Sequence, residues 1–210
     1  MQISSPFNRG CGARKVNGQP ALLLCLALLL TTFCPPVFAV DLYVGSNTPN
    51  NTFDLTSGTN SYGSTYVGYT AEATNNLLNV SGSNTFLTNI SSVNVGISGS
   101  SNSLVISNGG TVSGSIGYVG YNSVASNNSV VVTGAGSTWT NSSGLYVGDS
   151  GSGNRLVISN GGTVVASQDC FIGDTASKSS ALVTGTGSML TNSTSLYVGW
   201  GGTGNSLVVS

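Results

Sequence analysis

The sequence predicts an all-β protein: a right-handed parallel β-solenoid (β-helix) of about seven coils of ~25 residues, preceded by a signal peptide. Three observations support this fold class. A short triplet recurs along the chain, apolar residues alternate with polar ones between the triplets, and Gly, Ser, Thr and Asn make up about half of the 210 residues. Thirty-nine per cent hydrophobic residues and eight tyrosines argue against a disordered linker.

The recurring triplet has the form aromatic-Val-Gly, with small variations. Successive triplet glycines are 23 to 28 residues apart, and alternate ones are 51 to 53 apart, so two kinds of unit alternate. The seven triplets end at Gly45, Gly68, Gly96, Gly120, Gly148, Gly173 and Gly199. A unit of this length is too short for a propeller blade, which needs about 40 residues, but it suits one solenoid coil.

The two kinds of unit have recognisable copies. The first reads NSLVISNGGTV at residues 102–112 and returns at 154–164 and 205–210. The second reads SVVVTGAGSTWTNSS at 129–143 and returns at 181–195 and, more divergent, at 77–92. Residues 53–68 keep only an outline of the first kind, as expected of a terminal repeat.

Within each unit the apolar pattern has period two, which indicates strands of about five residues bounded by Gly-rich turns. Leu104 and Ile106 fall on one side of such a strand, and Val130 and Val132 do so in the next unit. No stretch after the leader has helical periodicity. Seven coils stacked ~4.8 Å apart would form a rod roughly 30 Å long.

Aligning the units predicts columns of equivalent side chains. The Val or Ile before each triplet glycine should be a core position, and the preceding residue, aromatic in six of seven units, should face outward as an aromatic ladder. A second apolar column joins Leu87, Trp139 and Leu190. Two asparagine columns, one of Asn89, Asn141 and Asn192 and one of Asn108 and Asn160, fit either amide ladders or tight turns.

The first 39 residues differ from the rest and predict a signal peptide. Arg9, Arg14 and Lys15 precede an apolar run at residues 21–33, then two prolines and a small-residue cleavage pattern ending at Ala39. The alternative is an uncleaved membrane anchor, although thirteen apolar residues fall short of the roughly 20 that a transmembrane helix needs. We expect residues 1–39 to be the signal peptide and residues 40–210 to be the β-solenoid domain, and we expect export through the Sec pathway.

Cleavage after Ala39 would change the cysteine count and the charge. Cys11, Cys25 and Cys34 would be lost, which leaves Cys170, expected to be a small buried hydrophobe without a disulfide. Two cations would remain against six carboxylates, a net charge of −4.

The composition excludes several classes of function. Without any histidine there is no Ser-His-Asp triad or Cys-His pair, and most kinds of zinc site are excluded. Five Lys and Arg residues cannot form a nucleic-acid footprint. Residues 148–154 do not bind calcium as a glycine-rich nonapeptide repeat would, because the nonapeptide motif does not recur. They also do not form a phosphate-binding loop, because no helix follows them. We expect no cofactor.

The best candidate for chemistry is a pair of carboxylates. Asp149 and Asp174 each follow a triplet glycine in consecutive units, so they should lie one rung, about 5 Å, apart, with Asp169 nearby. Such a pair could raise one pKa or bind a cation weakly, and clustered carboxylates could serve general acid and base catalysis. The simplest interpretation is a solvated pair partly neutralised by Lys178, so no catalytic or metal residue is assigned and we predict no enzyme.

Residues 134–164, GAGSTWTNSSGLYVGDSGSGNRLVISNGGTV, resemble the repeat family associated with type V secretion and PEP-CTERM proteins of Gram-negative bacteria. The resemblance extends over most of the chain after residue 68. It implies a secreted or surface-displayed, autotransporter-like passenger of adhesin type, whose partner is an extracellular surface, glycan or matrix component.

The chain stops at Ser210 in mid-strand, which suggests a fragment or truncated gene. It also leads us to expect self-association through an open C-terminal edge. The alternative function is a carbohydrate-active β-helix, a polysaccharide lyase or hydrolase using Asp149, Asp169 and Asp174. An ice-binding solenoid is disfavoured because the Thr138/Thr140 pair is not repeated in equivalent units.

Overall fold

A computed structural model describes residues 39–210 and has β-strands, turns and bends but no helix in that range. None of these residues therefore forms an apolar helix long enough to cross a membrane. The predicted signal peptide falls almost entirely on residues 1–38, which lie outside the described residues. The remainder is a parallel β-solenoid, as the repeat predicted.

Twenty strands form three parallel sheets. Sheet A contains β1 (Leu42–Val44), β4 (Thr65–Val67), β7 (Ser92–Val95), β10 (Ile116–Val119), β13 (Leu145–Val147), β16 (Cys170–Ile172) and β19 (Leu196–Val198). Sheet B contains β2 (Thr52–Leu55), β5 (Leu77–Ser81), β8 (Ser103–Ser107), β11 (Ser129–Thr133), β14 (Arg155–Ser159), β17 (Ser180–Thr184) and β20 (Ser206–Val209). Sheet C contains β3 (Gly58–Tyr62), β6 (Thr85–Asn89), β9 (Thr111–Gly114), β12 (Thr138–Asn141), β15 (Thr163–Ala166) and β18 (Met189–Asn192).

Each coil adds one strand to each sheet, so six coils are complete and a seventh contributes β19 and β20. The register confirms the alignment of the triplets: Tyr118 pairs with Tyr146, and Val119 with Val147. The divergent first unit also forms a regular coil, since β2 pairs with β5 and β3 with β6.

The interior is apolar, as the period-two pattern predicted. The triplet Val or Ile is buried in six coils, whereas Val198 in the last coil is 44% exposed. The second apolar column is also confirmed, because sheet C stacks Leu87, Val112, Trp139, Val164 and Leu190 in successive rungs.

Cys170 is a core residue, as expected. Its side chain is fully buried between its strand partners Leu145 and Leu196, and burial raises the pKa of its thiol to about 12. A thiol with such a pKa stays protonated at neutral pH, so Cys170 acts as a small hydrophobe and not as a nucleophile.

Residue sizes inside the coils compensate for one another. A Cβ atom at Gly117 would come within 2.6 Å of Cζ2 of Trp139, so the tryptophan fills the space beside this glycine. In an earlier coil the smaller Leu87 occupies the equivalent position in sheet C, and Thr65 replaces the glycine. In these two coils, the larger side chain of sheet C thus accompanies the smaller residue of sheet A.

A buried amide ladder runs along the corner before sheet B, and the sequence reasoning missed it. The backbone N of Asn76, Asn102 and Asn128 donates in each case to the Oδ1 of the asparagine one coil further on, at 2.8 to 3.0 Å. The Nδ2 group of each residue donates to the same Oδ1 atom, at 2.9 to 3.2 Å. These side chains are at most 1% exposed. Each one closes a corner whose backbone groups would otherwise lie buried without a partner.

The asparagine columns that the sequence did suggest have other roles. Asn141 is flanked in its column by Gly114 and Ala166, so no continuous amide ladder forms there. Asn108 and Asn160 both have φ 52°, the left-handed conformation that asparagine tolerates in turns. The turn interpretation is therefore confirmed for these two residues.

Candidate functional site

The outward column of sheet A is an aromatic ladder, as predicted. Consecutive ring centroids lie 5.2 Å apart between Tyr118 and Tyr146, 4.9 Å between Tyr146 and Phe171, and 4.6 Å between Phe171 and Tyr197. The rings are within 21° of parallel. Stacking along the solenoid axis thus presents ring edges and hydroxyl groups to solvent.

The ladder is divided by Asn94. Its Nδ2 donates to Ser92 Oγ at 2.7 Å and to the carbonyl of Thr65 at 3.2 Å, and its side chain is almost fully buried. Tyr43 and Tyr66 form a separate stack before it, with centroids 4.9 Å apart. The longer, uninterrupted part of the ladder therefore begins at Tyr118.

A second column runs beside this part, formed by the residue after each triplet glycine. Backbone hydrogen bonds from Asp149 N to Gly120 O, and from Asp174 N to Gly148 O, place the two carboxylates in consecutive rungs. Tyr121 precedes them in the column and Trp200 follows them. Asp149 and Asp174 therefore lie in consecutive rungs, as predicted.

The two outer aromatic residues of this column close against the ladder. Tyr121 meets Tyr118 edge to face with centroids 4.9 Å apart, and Trp200 meets Tyr197 in the same way at 4.8 Å. Tyr121 is 40% exposed and Trp200 66% exposed. We call this surface the aromatic–acidic face; it comprises Tyr118, Tyr121, Tyr146, Asp149, Phe171, Asp174, Tyr197 and Trp200.

Electrostatics differ among the three aspartates. Partial burial raises the pKa of Asp149, the Ser150 hydroxyl opposes this, and Asp174 raises it further. The pKa of Tyr146 is raised by burial and then by Asp174, Asp149 and Asp169. All three carboxylates therefore raise the pKa of one phenol, that of Tyr146.

Asp169 is nevertheless engaged elsewhere. Its Oδ1 accepts hydrogen bonds from Thr194 Oγ1 at 2.5 Å and from Ser195 N at 2.9 Å, and these bonds lower the pKa of the carboxyl group. The carboxylate therefore has a structural role in joining two coils at the corner before sheet A.

Lys178 occupies a turn before β17. It has φ 58°, and its backbone N donates to the carbonyl of Thr203. Its ammonium is not among the groups that shift the pKa of Asp149. Within residues 39–210, no three His, Cys, Asp or Glu side chains are grouped so that they could hold a metal ion.

The last coil of the described residues carries an apolar surface, unlike the aromatic–acidic face. A groove in the last coil is lined mainly by apolar side chains, and several of them are exposed. Its lining includes Val183, Met189, Leu190, Leu196, Leu207 and Val209. Self-association through this edge remains a prediction.

No protein-family model, curated protein or solved structure matches this chain.

Proposed function

We propose that this chain is a surface-exposed or secreted bacterial β-helical repeat protein that acts as a structural, adhesin-like passenger. The single observation that carries the proposal is the aromatic–acidic face, a row of outward-facing side chains, exposed at Tyr121 and Trp200 and half-buried between them, whose ladder is held at fixed spacing by the register of sheet A. The resemblance of residues 134–164 to the type V secretion and PEP-CTERM-associated repeats supports the same function.

The outer surface suits contact better than catalysis. Exposed aromatic residues provide large contact areas at a small cost in conformational entropy, and aromatic side chains are enriched at protein interfaces. The stacked rings are already ordered by their neighbours, so binding would require little further ordering. The partner proposed is an extracellular surface, glycan or matrix component.

Adhesion can be tested with beads coated with the purified protein. We expect such beads to adhere to some members of a panel of glycans, matrix proteins and bacterial cells. The double substitution Tyr146→Ser, Phe171→Ser should reduce adhesion at least severalfold. Val131→Ser, Val157→Ser changes two outward residues of sheet B in adjacent coils and serves as the matched control. Equal adhesion by all three proteins would contradict the assignment of this face.

Export can be tested separately. The full chain expressed in a Gram-negative host should appear outside the cytoplasm with a new N-terminus at Val40, as determined by N-terminal sequencing. A protein retained in the cytoplasm with its first 39 residues intact would contradict the proposed localisation.

A second candidate function has one observation in its favour. The pKa of Asp149 is raised while that of Asp169 is lowered, and carboxylates with opposite shifts can act as general acid and base. The alternative is therefore a carbohydrate-active β-helix using Asp149, Asp169 and Asp174. Release of reducing ends or unsaturated products from a polysaccharide, lost in the Asp149→Asn, Asp174→Asn variant, would establish this alternative.

A further inference from the structure

We propose that the aromatic–acidic face binds an arginine side chain of a partner polypeptide, with the guanidinium group held over Asp149 and Asp174. The inference rests on the proposed function, because it names the partner chemistry of the same surface. It is carried by the arrangement of charge, aromatic rings and open hydrogen-bond acceptors on this face.

The carboxylate pair lies at the centre of an aromatic frame. In the second column, Tyr121 and Trp200 bracket Asp149 and Asp174, while the stacked ladder runs alongside. The flanking rings pack edge to face against the ladder, one rung before Asp149 and one rung after Asp174. A ligand side chain that reaches both carboxylates therefore has aromatic surface beside it.

The acceptors of this pair are largely free. Among the described residues, no hydrogen-bond donor reaches the carboxylate of Asp174, and Asp149 accepts only from Ser150 Oγ at 3.3 Å. Asp169, by contrast, already accepts two hydrogen bonds. The two carboxylates in the column thus retain the capacity to accept hydrogen bonds from a ligand.

Charge favours a cationic ligand. Two like charges one rung apart repel each other, and a cation placed between them relieves that repulsion. The two basic residues of the described chain lie elsewhere: Arg155 begins a strand of sheet B and Lys178 precedes another. An anionic partner is disfavoured, and a neutral glycan offers no charge to offset the pair.

Guanidinium suits this surface better than ammonium. It is planar, presents several donors in a fixed fork that can contact both carboxylates, and packs against aromatic rings. An ammonium group is more strongly hydrated and loses more by leaving water. Because adjacent rungs are only ~4.8 Å apart, one guanidinium group can serve the pair.

The test is a titration of the full chain with a hexa-arginine peptide, followed by calorimetry and by tryptophan fluorescence. The chain has two tryptophans, of which Trp139 is fully buried and Trp200 is 66% exposed. A fluorescence change on binding therefore reports on Trp200. Hexalysine and an oligosaccharide of glucosamine are titrated in parallel, and we expect both to bind at least severalfold more weakly than hexa-arginine.

Two double variants separate this site from general electrostatic attraction. Asp149→Asn, Asp174→Asn should weaken hexa-arginine binding at least tenfold. Asp54→Asn, Glu72→Gln removes the same charge from other coils and should change the affinity less than twofold. Trp200→Ala should also weaken binding measured by calorimetry. Thermal unfolding of each variant checks that the fold is retained.

The outcomes are distinguishable. Equal losses in the two double variants, equal binding of hexalysine, or tighter binding of the glucosamine oligosaccharide would overturn the inference. If beads coated with the native protein adhere to the panel but hexa-arginine does not bind, only this inference fails. If hexa-arginine binds as expected but the beads adhere to no surface, the proposed function fails instead.

Discussion

Gly120 lies directly against the carboxamide of Asn154, one coil further along the chain. A Cβ atom at position 120 would overlap the Nδ2 and Cγ of this asparagine and approach the carbonyl of Ala125. Gly120 also has φ 79°. The glycine of the triplet is thus required twice, once by backbone conformation and once by the buried amide packed against it.

Gly120→Ala should therefore destabilise the protein more than backbone strain alone predicts. A left-handed alanine costs about 1–2 kcal/mol, and displacing a buried amide should bring the total above about 3 kcal/mol. Gly136→Ala is the matched control because Gly136 has the same φ of 79°, but a Cβ atom added there would lie 3.6 Å from its nearest neighbour, an ordinary contact distance. Urea unfolding of both variants measures the difference, and equal losses would mean that the amide contact is unimportant.

Removing a member of the amide ladder should be costly. Asn128→Ala leaves the backbone N and Nδ2 of Asn102 buried without their acceptor, so we expect a loss of about 2–4 kcal/mol. Asn108→Gly replaces an exposed asparagine whose φ of 52° glycine adopts readily, and it should cost less than about 0.5 kcal/mol. Urea midpoints compare the two variants, and a small loss for Asn128→Ala would show that water can replace the ladder.

The ladder is interrupted at Ser179, and restoring it should stabilise the fold. The hydroxyl of Ser179 is buried without a partner, while its backbone N still donates to Asn205 Oδ1 at 2.8 Å. Ser179→Asn supplies the missing carboxamide and should add about 0.5–1.5 kcal/mol. A lower thermal unfolding temperature than that of the native protein would show that this corner cannot accommodate asparagine.

The pairing of Trp139 with Gly117 predicts a non-additive double substitution. Trp139→Leu should cost about 2–4 kcal/mol through a cavity, and Gly117→Thr alone should clash with the tryptophan. The double variant reproduces the Leu87–Thr65 arrangement, in which Thr65 Oγ1 donates to Asn89 Oδ1 at 2.5 Å. It would give Asn141 Oδ1, which is buried without a partner, an equivalent donor. A double-mutant cycle from urea unfolding should show coupling of at least about 1 kcal/mol, and additivity would contradict it.

Asp149 and Asp169 should give opposite dependences of stability on pH. The pKa of Asp149 is raised on folding, so its favourable contribution is present below the unfolded pKa of about 3.9 and is lost as pH rises through the folded value. The pKa of Asp169 is lowered, so its contribution is present above about 3.9 and is lost as pH falls through the folded value.

Accordingly, Asp149→Asn should raise the unfolding midpoint at pH 7, and Asp169→Asn should lower it. The difference for Asp149→Asn should shrink as the pH falls to the unfolded pKa of about 3.9, whereas that for Asp169→Asn should shrink only below it, as the pH falls through the lowered folded pKa. Urea unfolding as a function of pH measures these changes, and shifts of the same sign at pH 7 would contradict the assignment of the two environments.

Much of the fold follows from local pattern. The period-two alternation and the repeated triplets place Val119 inward and Tyr118 outward without any knowledge of tertiary contacts, because equivalent residues of successive coils must stack. The same argument places Asp149 and Asp174 in consecutive rungs. Fold class, core columns, aromatic ladder and carboxylate pair were accordingly predictable from residue order.

The buried asparagines were harder to predict from the sequence pattern. Asn76 and Asn128 precede strands by one residue, in polar surroundings where asparagine is common, so their sequence context resembles an exposed turn. The signal that could have identified them is an asparagine directly before the first residue of six of the seven sheet B strands, with Ser179 as the exception. Burial at a corner depends on how the preceding loop folds back, which residue spacing does not specify.

The sequence by itself determined the repeat, the inward and outward alternation, and the stacking of like residues, since these depend on the two-residue period of a strand and the length of a unit. Only the tertiary structure decided which asparagines are buried, why Gly117 faces Trp139, and that Tyr121 and Trp200 frame the carboxylates of Asp149 and Asp174. These relationships join different sheets and corners, so they depend on the angles between strands and the paths of the connecting loops. Neither is encoded in any single strand.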